Sequence, residues 1–302
     1  MRKKLPNFLI VGAAKSGTSS LHHYLNQHPD VFMSYIDKNG NNAKEPHFMV
    51  KEEVQNRLHF GVWNFKDYKD LFSRVNEEKA VGEASVFYLY YSELAITNIK
   101  KYLGSDTKII IILRNPIDRA YSAYYHVSRS MKEYLNFEEA LENEENRIKK
   151  DLNLTPMVMY RDMGLYYKMV KLYQENFKNV HILLHEDLKT HPKLELKKVF
   201  KFLEVNSNYN VDLSIKINVG GKKWRNKYFK VFLQKDSMIK RIVSFILSIN
   251  LLKHHKKKLL SLFKRNINPM SRDTRLLLKD FFKEDISELS KIIDKDLDKW
   301  IK

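Results

Sequence analysis

The sequence predicts an α/β fold of three layers, a central parallel sheet flanked by helices on both faces, with a helical C-terminal extension. Three observations carry this. Short apolar runs at Asn7–Val11, Lys108–Leu113 and Val180–Leu184 have the length of buried strands. Longer segments with helical periodicity separate them, and such alternation implies parallel pairing. The 302 residues are 43% hydrophobic, which is enough for one large core. One domain over residues 1–302 is the simplest organisation, with a core at about 5–205 and a basic, helical extension at about 206–302.

Taken in order, Asn7–Val11 opens the sheet and a helix follows over Ser19–Gln27. Ala80–Glu83 is a fourth strand, followed by a helix at Tyr91–Leu103. After Lys108–Leu113, Pro116 stands where a helix begins, a position suited to its fixed φ and missing N–H. The periodicity then runs through Ile117–Arg129, Phe137–Lys149 and Leu165–Phe177, with Gly164 breaking the chain before the last of these. His191-Pro192 opens another helix beyond Val180–Leu184. Asn206–Val219 is polar and irregular, and Gly220-Gly221 forms no regular element. Lysine and arginine dominate residues 222–265, where Asp236 is the only carboxylate. Ser271–Trp300 returns to an amphipathic helix.

Lys and Arg number 54 against 36 Asp and Glu, a net charge of +18. That surplus asks for an anionic partner, such as a nucleotide, a sulfated or phosphorylated substrate, a nucleic acid or an acidic membrane. No RNA- or DNA-reading motif is present, so nucleic acid is not the expected partner. The chain has no cysteine, which excludes disulfides, zinc–thiolate sites and thiol catalysis and fits a cytoplasmic location. Phe8–Val11 is too short for a secretory signal core. Ile242–Leu252, broken by Ser244, Ser248 and Asn250, falls short of the ~20 residues of a membrane span.

The strongest local signal is FLIVGAAKSGTSSLHHYL, Phe8 to Leu25. A strand ends at Val11, a loop runs from Gly12 to Thr18, and a helix follows. Gly12 and Gly17 let backbone N–H groups converge on an anion, the helix start adds partial positive charge, and Lys15 adds a full one. Lys15, Ser16, Gly17, Thr18 and Ser19 are thus the candidate phosphate-binding residues of a P-loop-like turn. It departs from G-x-x-x-x-G-K-[ST], because Thr18 holds the lysine position. The strand Ile109–Leu113 runs into Arg114-Asn115-Pro116, with no aspartate to hold Mg²⁺, and no metal is expected. A second candidate lies in IIILRNPIDRAYSAYYH, Ile110 to His126. Arg114 sits at a helix mouth and Ser122 under two turns in, where both reach a second anion; the alternative is that Arg114 pairs with Asp118.

In combination these segments resemble the sulfotransferase family. Gly12–Ser19 is similar to its 5′-phosphosulfate loop and Arg114…Ser122 to its 3′-phosphate motif. Further similar stretches are His28–Met49, Gly82–Ser85, Gly164–Leu203, Asn218–Lys223 and Leu276–Trp300, so the resemblance covers most of the chain outside about 225–265. KEPHF, Lys44–Phe48, is closest to the bacterial and heparan-sulfate-type branch. The resemblance implies 3′-phosphoadenosine 5′-phosphosulfate (PAPS) as co-substrate. Lys15 would contact the leaving-group oxygens, Ser16, Gly17, Thr18 and Ser19 the 5′-phosphate, and Arg114 and Ser122 the 3′-phosphate. Gly220, Gly221 and Lys222 would be further donor contacts. Glu45 is the implied general base and His47 the runner-up or an acceptor-orienting residue. Burial would raise the ordinary carboxylate pKa of ~4.3, while Lys44 and Lys15 oppose the rise. The implied acceptor is a hydroxyl or amine of a carbohydrate, a glycolipid or a small molecule.

One departure concerns E-K-[ST], which here reads Glu83-Ala84-Ser85. Either Lys222 or Lys223 replaces the missing cation, or the acceptor differs from heparan sulfate. Glu83 itself reads as an acceptor-side residue or a solvated turn acid. Residues 222–265 read as a solvated face, as a sugar-holding surface through Trp224 and Tyr228, or as a basic helix at about 230–265 on an acidic membrane. Two other functions fit the same residues, an ATP-dependent nucleotide or small-molecule kinase and a non-catalytic polyanion binder. The second predicts steep salt dependence and no need for Lys15 or Arg114.

Overall fold

Strand β1 (Phe8–Gly12) and strand β4 (Lys108–Leu113) lie side by side at the centre of a parallel sheet. In this computed structural model, which describes residues 5–37, 40–129, 133–215, 222–224, 264–266 and 268–302, β2 (Val31–Met33), β3 (Ala80–Ala84) and β5 (Val180–Leu184) complete it in the order β2–β3–β1–β4–β5. All five residues of β1 and five of the six of β4 are buried, as expected of strands covered on both faces. Each fully buried Ile, Leu, Val or Phe adds about 1.5–3 kcal/mol of transfer free energy. The register sets Ile10 beside Ile110 and Leu113 beside Leu184, and a shift between Ile10 and Gly12 loosens β1 from β4 where the glycine loop departs.

The helices are α1 (Thr18–Leu25), α2 (Lys51–Val54), α3 (Phe65–Asp70), α4 (Phe87–Tyr90), α5 (Ser92–Tyr102), α6 (Pro116–Arg129), α7 (Phe137–Glu142), α8 (Glu144–Lys150), α9 (Tyr166–Asn176), α10 (His185–Thr190), α11 (Pro192–Phe202) and α12 (Arg272–Ile293). Two differences from expectation have local causes. β2 has three residues, too few to show a period. Phe137–Lys149 is two helices, because the chain bends at Asn143 and turns Glu144 inward, where its carboxylate accepts the Arg161 N–H at 3.0 Å and Nε at 3.1 Å. A capping box of Asn136 and Glu139 starts the first of them.

The chain separates into two compact units, Met1–Asn218 with Arg272–Lys302, and Val219–Ser271. In the second, β6 (Lys222–Trp224) pairs antiparallel with β7 (Lys264–Asn266). In the first, α12 packs against α9 and α6 and so belongs to the core. Its Asp285 carboxylate accepts the Tyr166 and Tyr167 N–H groups at 2.8 and 3.1 Å, capping α9. Arg275 pairs with Asp118 at 2.6 Å, and Asn115 Nδ2 donates to the Trp300 carbonyl at 3.2 Å. No helix among the described residues is long and apolar enough to cross a membrane.

Candidate active site

The loop after β1 is built on two left-handed residues, Lys15 (φ 67°) and Gly17 (φ 103°). A Cβ at Gly17 would stand 2.8 Å from His185 Nδ1, so glycine is required there by space as well as by backbone. Gly17 is the N-cap of α1 and no side chain caps the helix, which leaves its first-turn N–H groups to a ligand. Ser16 is buried with its Oγ beside the Tyr166 hydroxyl, and neither oxygen makes a hydrogen bond of normal geometry. Thr18 is buried and Ser19 half-buried at the start of the helix. Polar groups left unmet in and beneath the loop fit an anionic oxygen above it.

Arg114 leaves the end of β4, next to β1, and its Nη1 donates to the Lys15 carbonyl at 3.1 Å. The two candidate turns therefore adjoin. Arg114 is not held by Asp118, which is taken by Arg275. Ser122 is half-buried on α6, and one turn further the same helix presents His126, whose Nδ1 lies 3.4 Å from Lys15 Nζ. Burial lowers the Lys15 pKa to about 8, with Arg129, Arg114 and Lys44 adding to the drop and Glu45 opposing it. His126 is held to about 4, by crowding first and then by the charges of Lys15 and Arg129.

Glu45 and His47 face this cationic group from the segment before α2. Lys44 Nζ stands 3.1 Å from Glu45 Oε1, and His47 Nε2 stands 3.7 Å from Glu45 Oε2. Burial would raise the Glu45 pKa, but Lys44, His47 and hydrogen bonds from Lys44 and the Val86 N–H outweigh it and hold it below the ordinary value. Of the two opposing effects read from the sequence, the neighbouring cations prevail over burial, and the carboxylate is ionised at neutral pH. His47 is buried and drops to about 4, chiefly through burial, so its ring is neutral.

The structure also corrects Glu83, which is neither solvated nor on an acceptor surface but 0% exposed in β3, with burial pushing its pKa to about 7. Ala84 beside it is fully buried, and Lys44 and Arg129 are the additional cations that the Lys15 environment contains. Gly220 and Gly221 lie outside the described residues, Lys222 is described only as the first residue of β6, and the membrane-contact segment 230–265 falls outside them apart from 264–265. Sequence reasoning missed His126, Arg129 and His185. Ser122, His126 and Arg129 fall at i, i+4 and i+7 on one helical face, a signal present in the sequence. His185 opens α10 at the end of β5, so a third strand end contributes. Its pKa is lowered to about 4, first by burial and then by Arg114. Among the described residues no three His, Asp or Glu side chains cluster as metal ligands.

The Lys15 and Arg114 turns meet at the carboxyl edge of a parallel sheet, the place where open α/β folds bind their ligands. The family model described as "Sulfotransferase domain" matches residues 5–231, and the chain belongs to the sulfotransferase family, whose sulfuryl donor is PAPS. A crystal structure of a sulfotransferase from Alicyclobacillus acidocaldarius superposes with a TM-score of 0.72 at 31% identity, covering 99% of this chain and 100% of that one. The human bifunctional heparan sulfate N-deacetylase/N-sulfotransferase 3 is 26% identical over 308 residues, 97% of this chain and 30% of the relative. The mouse heparan sulfate glucosamine 3-O-sulfotransferase 3A1 is 28% identical over 204 residues, 67% of this chain and 46% of the relative. The chain thus spans less than half the length of either curated relative.

Proposed function

We propose that the chain transfers a sulfuryl group from PAPS to a hydroxyl or amine of a carbohydrate, glycolipid or related small-molecule acceptor. The observation that carries this reading is the 3.1 Å hydrogen bond from Arg114 to the Lys15 carbonyl, which joins the two anion-binding turns into one donor floor. Ser16, Gly17, Thr18 and Ser19 hold the 5′-phosphate; Arg114 and Ser122 hold the 3′-phosphate, the group that separates PAPS from ATP. Lys15 meets the oxygen on which negative charge grows as the S–O bond to the leaving bisphosphate breaks. The acceptor oxygen or nitrogen forms the new bond to sulfur and its proton passes to Glu45, already ionised. His47, neutral and buried, orients the acceptor. Lys44 and Arg129 supply the positive charge that relatives carry at the position of Ala84. Two relatives named for heparan sulfate support a carbohydrate acceptor. We read residues 1–302 as one catalytic domain in which Val219–Ser271 is an insertion, and a cytoplasmic setting fits a chain without cysteine.

Thermal melting with adenosine 3′,5′-bisphosphate (PAP) or Mg·ATP tests the reading. PAP at 100 times its Kd should add about 2.7 kcal/mol, raising Tm by about 4 °C without Mg²⁺. Stabilisation by Mg·ATP alone would favour the kinase. The lowered Lys15 pKa sets a second expectation. An anionic ligand prefers the charged ammonium, so PAP affinity is full below pH 8 and falls as pH rises through about 8, by up to about tenfold per pH unit. Calorimetric titration at pH 7, 8 and 9 measures it, and an affinity that stays flat would contradict the placement of Lys15.

A further inference from the structure

Glu83 takes part in no step above, yet it is the carboxylate most deeply buried near the site, at 0% exposure in β3. Three hydroxyls surround it. Tyr68 donates to Oε1 at 3.3 Å, Ser85 donates to Oε2 at 2.9 Å, and the Tyr88 hydroxyl faces the same carboxylate. A hydroxyl has one proton to give, so committing it to Glu83 turns its lone pairs to other donors. Those donors are backbone groups of the segment that carries Glu45. The Ser85 Oγ accepts the His47 N–H at 3.0 Å, and the Tyr88 hydroxyl accepts the Met49 N–H at 3.2 Å. Between them the chain makes its left-handed turn at His47 (φ 55°) into the 3₁₀ turn Phe48–Val50. The Pro46 carbonyl accepts the Val62 N–H at 2.8 Å, and the Val86 backbone, three residues beyond Glu83, lies beside the Glu45 carboxylate.

We propose that Glu83 is a positioning residue for Glu45: by fixing the Ser85 and Tyr88 hydroxyls as acceptors for the His47 and Met49 N–H groups, it sets where the Glu45 carboxylate stands. The inference rests on the reading of Glu45 as proton acceptor. The three hydroxyls bond Glu83 and the His47 and Met49 N–H groups, whereas Lys15 and Arg114 bond His126 and each other. The two sets meet through backbone, where the Ser85 N–H donates to the Ile10 carbonyl at 3.1 Å. Loss of Glu83 should therefore disturb proton removal and spare donor binding.

The test compares Glu83→Gln, Ser85→Ala and the double variant with the wild type. Turnover is read as PAP released from PAPS with water as acceptor, PAP affinity by calorimetry, and backbone fastening by hydrogen–deuterium exchange at His47 and Met49 without nucleotide. Each single variant is expected to lower kcat by about tenfold or more. PAP affinity should stay within about twofold of wild type, and the double variant should be no slower than the slower single one. The two amides should exchange about tenfold faster or more. Unchanged exchange, independent additive losses, or PAP affinity falling in step with kcat would overturn the proposal. Should Glu83→Gln fail to fold, Ser85→Ala and Tyr88→Phe carry the same comparison. Where the wild type releases no PAP with water as acceptor, amide exchange and PAP affinity decide the fastening, and the sulfuryl-transfer reading is decided separately by whether PAP stabilises the protein without Mg²⁺.

Discussion

Lys15→Ala is expected to lower sulfuryl transfer by about 10²–10³-fold, the range found when one preorganised donor to a developing charge is removed. The side chain stands at the meeting point of the two turns, and its ammonium is the full positive charge of the loop. Folding should survive the change. Lys15 reaches His126 at 3.4 Å, and it sits among Arg129, Arg114 and Lys44, whose repulsion its removal relieves. The apo melting temperature should hold or rise while PAP stabilises the variant less than the wild type. Melting curves with and without PAP, together with single-turnover transfer from radiolabelled PAPS, check both halves. Near-native transfer would refute the role given to the loop.

Glu45→Gln should cut turnover by about 10²-fold or more, because the amide keeps the shape of the carboxylate and cannot take a proton. His47 would be a poor substitute, since burial leaves its ring a weak base with a pKa of about 4. Lys44 loses its carboxylate partner in this variant, so Lys44→Met is the control for charge imbalance. The pH profile gives a separate readout. Lys44 and His47 hold Glu45 below its ordinary 4.5, so loss of rate through its protonation belongs below that pH. Full turnover in Glu45→Gln would move proton acceptance to His47 or to water.

What could be read in advance divides along physical lines. The bounds of β4 and β5 matched their apolar runs. β4 is buried over five of its six residues, and a strand covered on both faces is written as a nearly unbroken apolar stretch. β5, at the sheet edge and half-buried over its first three residues, still reads as VHILL. The Lys15 and Arg114 turns were legible for a related reason: glycine spacing, a proline at a helix start and a cation beside each are local features. β2, with three residues, leaves no such trace. The bend at Asn143 depends on Arg161, which receives the inward carboxylate of Glu144. Glu83 shows the limit most clearly. Its neighbours Tyr68, Ser85 and Tyr88 are visible in the sequence, but only the fold brings α3 and the segment after β3 together so that three hydroxyls face one carboxylate. The Glu45 pKa turned on a balance of the same kind, where Lys44, His47 and the hydrogen bonds together outweighed burial.

The ties between α12 and the start of α6 bear on the order in which the enzyme is made. Ribosomes deliver residues 8–114 long before residues 272–300, and the sheet strands pair among themselves as they emerge. The arginine turn, however, is braced through Asn115 by the Trp300 carbonyl and through Asp118 by Arg275, and α9 waits for Asp285 to cap it. A nascent chain thus carries an incomplete nucleotide floor until residues 272–300 have emerged, and nucleotide capture waits on them.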